Sequence, residues 1–166
     1  MTQEQETAFV QMIQQHQKLI YKVCSIYASG TGEKEDLAQE IILQSWKAYP
    51  RFKGESGIST WLYRISLNTA INYIRKQKRS PQIIYPEELL YHPGEPLSDA
   101  NNEEYKLLQQ MIAGLPPLDK ALILLYLEDK TYKEMAEIIG ISASNAGTRL
   151  NRIKEKLKQQ AKQLTR

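Results

Sequence analysis

The chain has 166 residues, of which 42% are hydrophobic and 25% charged, with a formal net charge of +3. This length suffices for one ordinary domain or two small ones, and the composition excludes a disordered chain. No apolar run is long enough to cross a bilayer, and the start MTQEQETAF lacks the regions of a signal peptide, so membrane insertion is not expected. The single cysteine, Cys24, cannot form an internal disulfide, which favours a reduced, cytoplasmic setting.

Charge is distributed unevenly along the sequence. Residues 62–80 carry five basic residues and no acid, residues 81–104 carry six acids and no lysine or arginine, and residues 147–166 are again basic. Two basic blocks that flank an acidic segment are typical of two modules that each meet a polyanion. Lysine-rich helix ends are also ordinary solvated surface, so neither block alone decides between these interpretations.

The N-terminal part of the sequence predicts three helices. Apolar residues recur at steps of three and four over residues 9–27 and predict one helix with a single buried stripe. Residues 33–49 predict a second helix, which has acids in its first turn and ends at Pro50. A glycine-containing loop leads to a third helix over 58–79, whose apolar residues do not keep to one face. We therefore expect the third helix to pack between neighbours.

The middle of the chain predicts a linker. Residues 81–100 hold four of the seven prolines and show no sustained hydrophobic period. No strand-like alternation of useful length occurs in the sequence, which indicates an all-α fold class. The predicted architecture is two small helical domains, over 1–80 and 103–166, joined by an extended acidic linker over 81–102.

The C-terminal part predicts a helical hairpin after two helices that are separated by a double proline. Thr131 and Glu134 have the spacing of a capping box, which begins a helix. Gly140 suits the end of that helix, and Ser142 suits the N-cap of the last one. This spacing fits a helix-turn-helix, although packing hairpins also use glycine and serine at their joints.

The sequence contains no catalytic or metal-ligand motif. His16 lies on the predicted buried stripe, His92 lies in the proline-rich segment, and neither has a partner at metal-ligand spacing. No glycine-rich phosphate loop and no G-x-S-x-G elbow occurs. We therefore expect neither enzymatic activity nor a cofactor.

Nucleic-acid binding is better supported, first of all by the hairpin. The N-terminal residues of the second helix of a helix-turn-helix face base edges, while flanking cations meet phosphates. Ser144, Asn145, Thr148 and Arg149 occupy those positions, and Arg152 and Lys154 can hold the backbone. First-turn capping is an equally good explanation of Ser144 and Asn145.

The glycine-containing loop of the N-terminal part supports a different mode of binding. Aromatic side chains around the loop stand beside a basic helix, a combination that suits unstacked bases. Trp61 is expected to pack in the core, whereas Phe52 lies in a polar loop and is the better candidate for a base contact.

Two segments resemble the bacterial sigma factors of the extracytoplasmic-function (ECF) type. Residues 36–75, with DLAQE…W followed by F-x-G…TWLYRI-x-x-N, resemble their second domain. Residues 115–158 resemble their fourth domain. The match covers nearly the whole chain in the right order. The combination in the first segment is specific, while the helix-turn-helix alone is shared with many regulators.

The resemblance implies a dissociable specificity subunit of RNA polymerase with three sets of contact residues. The set implied to dock on the clamp coiled coil of the largest polymerase subunit is Asp36, Gln39, Glu40, Leu43 and Lys47. The set implied to capture a base flipped from the non-template strand of the −10 element, and to bind DNA nearby, is Phe52, Lys53, Arg64, Asn68, Asn72 and Arg75. The set implied to read the −35 element is Ser144, Asn145, Thr148, Arg149, Asn151 and Arg152.

Further partners and a regulatory role follow from the same resemblance. It implies contact with the polymerase flap, control by an anti-sigma factor, and transcription of a stress- or signal-responsive regulon. The acidic linker would thread polymerase channels that otherwise hold nucleic acid. Melting would be driven by binding energy, chiefly of the base trapped outside the duplex. Two alternatives remain open: a helix-turn-helix regulator that binds duplex operators without acting as a sigma subunit, and a protein-docking module.

Gly147 departs from the family pattern. Family members often carry arginine or lysine at this position, which we expect to be on the groove-facing side of the last helix. A glycine there removes a contact and costs about 1 kcal/mol of helix stability relative to alanine. We therefore expect Asn145, Thr148, Arg149 and Arg152 to carry the reading.

Overall fold

The structure is a computed structural model that describes residues 1–77 and 103–164. Within these ranges the regular structure is helical and contains no strand, so the predicted all-α, two-domain fold is confirmed. The chain divides into two compact units, Met1–Glu95 and Pro96–Arg166. The predicted linker lies outside the described residues, as does the end of the predicted third helix beyond Gln77, and our narrower domain bounds stay a prediction.

The described part of the first unit, residues 1–77, contains four helices and one 3-10 turn. These elements are α1 (Gln3–Gln15), α2 (Gln17–Tyr27), α3 (Thr31–Ala48), the 3-10 turn (Tyr49–Arg51) and α4 (Ile58–Gln77). α4 packs against both α2 and α3, as its scattered apolar residues predict. Leu37, Ile41, Leu62 and Leu67 from α3 and α4 are at most 2% exposed and form the centre of this core.

His16 interrupts the first predicted helix, so the prediction of one continuous helix over residues 9–27 is wrong. The backbone of His16 has φ −112° and ψ 22°. Its N–H donates to the carbonyl oxygens of Met12 (3.1 Å) and Ile13 (3.2 Å), and its Nδ1 lies 2.8 Å from the same Met12 oxygen. The apolar period continues across a break of one residue, and therefore the pattern does not reveal the break.

A chain of five aromatic rings ties α1, α3, the 3-10 turn and α4 together. Centroid distances are 5.1 Å for Phe9–Trp46, 5.3 Å for Phe9–Tyr49, 6.1 Å for Tyr49–Trp61 and 4.9 Å for Phe52–Trp61. The first three pairs are edge-to-face, a favourable arrangement because the positive edge of one ring meets the negative face of the next. The cluster thereby fixes the start of the loop that joins the 3-10 turn to α4.

The second unit has a core made mainly of aliphatic side chains. Its helices are α5 (Glu103–Ala113), α6 (Pro117–Leu127), α7 (Tyr132–Ile139) and α8 (Ala143–Leu164). α6 packs against α5, α7 and α8, and its residues 121–125 are all buried. Met135 of α7 and Leu150 of α8 are each fully buried and complete this core.

The α7–α8 hairpin has the local signals that the sequence predicts. Thr131 Oγ1 accepts from the Glu134 N–H at 3.1 Å, and Glu134 Oε1 accepts from the Thr131 N–H at 3.2 Å, which is a complete capping box. Gly140 ends α7 with a φ of 85°, a left-handed conformation that glycine adopts without strain. Ser142 Oγ accepts from the Asn145 N–H at 3.0 Å and caps α8. The hairpin is therefore a helix-turn-helix with a defined joint.

Candidate polymerase and nucleic-acid interfaces

One face of α3, which we call the α3 face, carries the residues predicted to dock on polymerase: Asp36, Gln39, Glu40, Leu43 and Lys47. They recur at steps of three and four, so they share one side of the helix. Leu43 is 45% exposed, an open apolar side chain in the middle of a helix. Burial, with the negative charge of Glu33 as a lesser cause, raises the pKa of Asp36. The α3 face thus combines an apolar centre with polar surroundings, as a protein-docking surface does.

A second row of predicted site residues runs along α4. This α4 row consists of Arg64, Asn68, Asn72 and Arg75, which recur at steps of four, four and three, and all four are exposed. Its two ends carry guanidinium groups and its centre carries two amides. Such a row can contact phosphates at its ends and base edges at its centre.

A groove of about 470 Å³ separates α3 from α4 and joins the two sets of predicted residues. Asn68 and Asn72 line one wall, and Glu40 lines the other. Glu40 Oε1 accepts a hydrogen bond from Gln44 Nε2 at 2.8 Å. Ala48 and Ile65 give the groove an apolar part. A groove that combines amide and carboxylate groups with an apolar part can contact both the edge and the face of a flat polar ring such as a base.

The loop between the 3-10 turn and α4 carries the other two residues predicted to bind the −10 element. Phe52 is half-buried, and its ring is tilted by 43° against that of Trp61. Lys53 is exposed beside it, and Gly54, with a φ of 74°, turns the loop. Trp61 is itself partly exposed rather than fully buried in the core. The aromatic cluster therefore holds Phe52 at the start of the loop that carries the exposed Lys53.

α8 presents a polar face on the side away from the core. This α8 face consists of Ser144, Asn145, Thr148, Asn151 and Arg152, all of which are exposed. Thr148 Oγ1 donates to the Ser144 carbonyl oxygen at 3.0 Å, so its hydroxyl keeps acceptor capacity for DNA. Ser142 is the N-cap of α8, so neither Ser144 nor Asn145 is its N-cap. A convex face of hydroxyls, amides and one guanidinium suits the major groove.

Arg149 lies beside this face and has a partner within the protein. Its Nη2 is 3.1 Å from Oδ1 of Asp119 on α6, and the side chains of Arg149 and Asp119 are 36% and 20% exposed. The two residues are 30 positions apart in the sequence, so no local pattern could reveal the pair. The structure thus adds Asp119 to the residues that bear on the candidate site.

Gly147 is buried, and the expectation that it lies on the groove-facing side is wrong. A Cβ atom at this position would be 3.2 Å from Cε2 of Tyr132 and 3.4 Å from its Cδ2. Gly147 therefore faces the first helix of the hairpin, where the ring of Tyr132 lies against the α8 backbone. Sequence periodicity alone could not show this contact, because it depends on the crossing of α7 and α8.

Three observations bear on other kinds of function. No group of His, Cys, Asp and Glu in 1–77 or 103–164 could hold a metal ion. No helix in the part of the chain that the structure describes is long and apolar enough to span a membrane. Burial raises the pKa of the Cys24 thiol to about 12, so the thiol is an inert core group at neutral pH.

The two units match two different family descriptions. Residues 12–80 match Sigma-70 region 2, and residues 105–157 match Sigma-70, region 4. The ECF RNA polymerase sigma-E factor of Haemophilus influenzae is 30% identical over 92% of this chain and 87% of its own length. The factor of the same name from Escherichia coli is 28% identical over 97% of this chain and 90% of its own length. This chain belongs to the ECF sigma factors of RNA polymerase.

Two solved structures share the fold of this ECF sigma factor, each at 18% sequence identity. The sigma factor RpoE, in complex with the anti-sigma factor NepR from Bartonella quintana, aligns with a TM-score of 0.73 over 93% of this chain and 97% of its own length. CnrH, in complex with the cytosolic domain of CnrY, aligns with a TM-score of 0.66 over 95% of this chain and 89% of its own length.

The family membership decides between the interpretations that the sequence left open. The protein is an RNA polymerase sigma factor that acts in transcription initiation. A regulator of duplex operators needs only the helix-turn-helix unit and leaves the match of residues 12–80 to region 2 unexplained. The assignment of individual residues to contacts remains a matter for proposal.

Proposed function

We propose that this sigma factor docks on the clamp coiled coil of core RNA polymerase through the α3 face. The observation that carries the proposal is the exposed Leu43, surrounded by Gln39, Glu40 and Lys47 on a helix whose opposite side is buried. An apolar anchor within a polar rim is the arrangement that gives stable and specific protein interfaces. The flap of the polymerase would bind the second unit.

The α3–α4 groove would hold one base of the −10 element after the strands separate. Asn68 and Asn72 line the groove, and their side-chain amides can pair with a base edge. Arg64 and Arg75, together with Lys53 of the loop, would bind the phosphates on either side. Phe52 is half-buried in the loop beside Trp61, and an aromatic ring at this place would stack on a base.

The α8 face would read the −35 element in the major groove of duplex DNA. Asn145 and Asn151 carry amides that suit adenine, and Arg152 carries a guanidinium that suits guanine or a phosphate. The Ser144 hydroxyl can donate to or accept from a base, and the Thr148 hydroxyl, whose hydrogen is donated to the Ser144 carbonyl oxygen, can accept. Arg149 would act at the edge of this face.

The wider role follows from these contacts. The protein would act in the cytoplasm, without catalytic activity of its own, by directing polymerase to the promoters of a stress- or signal-responsive regulon. The solved structures of RpoE and CnrH are complexes with NepR and with the cytosolic domain of CnrY, respectively, which supports an anti-sigma factor as a further partner. The acidic segment over 81–102 would occupy channels in the polymerase.

Transcription in a purified system tests the proposal. Core polymerase and this protein would be incubated with sheared genomic DNA, and the 5′ ends of the transcripts would be sequenced. We expect a small set of start sites that share a −10 and a −35 motif. Random starts at the level of core polymerase alone would contradict a sigma function.

A pair of variants separates polymerase docking from folding. Leu43→Asp is expected to abolish binding to core polymerase because it places a charge at the centre of the interface, while helical content stays unchanged. The control is Val10→Asp on α1, since Val10 is 50% exposed and lies outside the α3 face. Equal losses of polymerase binding in both variants would overturn the assignment of the α3 face.

A further inference from the structure

The Arg149–Asp119 pair links α8 to α6, the helix that packs against the other helices of the second unit. Arg149 Nη2 lies 3.1 Å from Asp119 Oδ1, and both side chains are partly exposed. Asp119 lies in the first turn of α6, whose residues 121–125 are buried. The carboxylate is therefore attached to a helix that is anchored in the core of the second unit.

Arg149 occupies a defined place relative to the α8 face. Positions 145, 149, 152 and 156 recur at steps of four, three and four, so they form one row along the helix. Arg149 is the member of this row that lies next to the core, and it is 36% exposed at the side chain. It thus stands at the edge of the α8 face, where a helix in the major groove approaches the sugar–phosphate backbone.

The contact with Asp119 leaves most of the guanidinium available. An arginine has five N–H donors in a fixed plane, and the hydrogen bond from Nη2 uses one of them. Holding one end of the group removes much of the rotational freedom that an arginine otherwise loses when it binds DNA. Because the guanidinium is planar, a carboxylate that binds one edge of it also fixes the direction in which the opposite edge points.

We propose that Asp119 is a positioning residue for promoter recognition. It holds the Arg149 guanidinium so that the remaining N–H donors bind a DNA phosphate at the edge of the −35 major groove. The inference rests on the proposed reading of the −35 element by α8. The charge of Asp119 alone would repel DNA. In this role, however, Asp119 strengthens DNA binding.

The sign of the Asp119→Ala effect distinguishes positioning from simple electrostatics. Removal of an acid near DNA ordinarily raises affinity, because a repulsive charge is lost. If Asp119 positions Arg149, removal instead lowers affinity. Glu155→Ala is the matched control, since Glu155 is an exposed acid on α8 itself, and we expect its loss to leave affinity unchanged or raise it.

The experiment uses holoenzyme made with full-length protein and a duplex containing the −35 element of a promoter found by the transcription experiment. Binding would be measured by fluorescence anisotropy over a range of salt concentrations. We expect Asp119→Ala to weaken binding roughly fivefold and Arg149→Ala roughly tenfold, with the double variant no weaker than Arg149→Ala. Loss of one phosphate contact should lower the slope of log K against log salt by about 0.9 in Arg149→Ala.

Two results would overturn the inference. Unchanged or increased affinity in Asp119→Ala would show that the carboxylate does not position a DNA contact. An unchanged salt slope in Arg149→Ala would show that the pair is only a brace between α6 and α8. Arg152→Ala separates these failures from failure of the proposed function: if it also binds normally, α8 does not read the −35 element. If Arg152→Ala weakens binding while Asp119→Ala and Arg149→Ala do not, the inference about the Arg149–Asp119 pair is refuted and the proposed reading of the −35 element by α8 stands.

Discussion

The two surfaces that we assign to DNA differ in shape, and the difference indicates which state of DNA each can bind. The α3–α4 groove is concave and lies between two helices of the first unit. The α8 face is convex, and all five of its residues are exposed. A concave pocket accepts one base that has left the stack, whereas a convex helix fits the major groove of an intact duplex. The first unit is therefore suited to melted DNA and the second to duplex DNA.

The cores that support these two surfaces are built from different kinds of side chain. The groove depends on a cluster of aromatic rings that spans several elements of the first unit. The α8 face depends on an aliphatic core of α6, α7 and α8. Both tryptophans, Trp46 and Trp61, belong to the first unit, so tryptophan fluorescence reports on that unit alone.

The largest effect is expected from Trp61→Ala, which removes the ring that joins Phe52 to Tyr49. Loss of a large aromatic side chain should lower the free energy of unfolding of the first unit by about 3 kcal/mol. Urea unfolding followed by the fluorescence of Trp46 measures this change. Tyr126→Ala, at a 42% exposed site on α6, should leave the same transition unmoved. A loss below about 1 kcal/mol in Trp61→Ala would show that the cluster does not hold the loop.

A smaller loss is expected from Arg152→Ala, which tests the duplex side of the comparison. We expect binding of holoenzyme to a −35 duplex to weaken by about 2 kcal/mol, or roughly 30-fold, with a smaller loss on a scrambled duplex. Lys158→Ala, an exposed cation farther along α8, should weaken binding to both duplexes alike. Equal effects of the two substitutions on both duplexes would mean that Arg152 does not contribute to specificity.

Local signals predicted the hairpin well because they act over a few residues. The capping box at Thr131 and Glu134, the turn at Gly140 and the cap at Ser142 each depend on side chains within three positions of the affected backbone. The predicted site residues on α3 and α4 come from the resemblance to ECF sigma factors, and helical periodicity places each set on one side of its helix.

Three features could not be predicted, each for a physical reason. The break at His16 leaves the apolar period intact, so the pattern of α1 and α2 resembles that of one helix. The Arg149–Asp119 pair forms only when α6 and α8 pack. The burial of Gly147 depends on the helix crossing that brings Tyr132 against it.

Gly147→Ala tests whether this contact explains the glycine. Alanine should gain about 1 kcal/mol of helix stability, but its Cβ would crowd the Tyr132 ring. We expect the stabilisation to be small in the native background and to reach about 1 kcal/mol when Tyr132 is replaced by alanine. Hydrogen exchange of the α7 and α8 amides measures both values. Equal stabilisation in the two backgrounds would contradict the proposed crowding.

The smallest effect is a pH dependence of the second unit. Hydrogen bonds from the Thr131 N–H, and then from its side chain, lower the pKa of Glu134 below its ordinary value. A carboxyl group with a lowered folded pKa stabilises the fold above its unfolded pKa, and this stabilisation is lost as the pH falls through the folded pKa.

Glu134→Gln should therefore destabilise α7 at about pH 7 and have little effect at about pH 3. Hydrogen exchange of the α7 amides again gives the measurement. Thr131→Ala provides the contrast. The hydroxyl cap of Thr131 does not titrate, so its loss should destabilise α7 at both pH values. A destabilisation by Glu134→Gln that is the same at both pH values would exclude an ionised capping carboxylate.

The division between melted and duplex DNA is tested most directly by Asn68→Ala. Asn68 is exposed on α4 and lines the α3–α4 groove, so its loss should impair base capture without altering the α3 face. The measurement is promoter opening, followed by permanganate reactivity of the −10 thymines, beside the affinity of the same variant for core polymerase. We predict that opening falls while core affinity is unchanged. Equal losses of both, or unimpaired opening, would contradict the assignment of the groove to a flipped base.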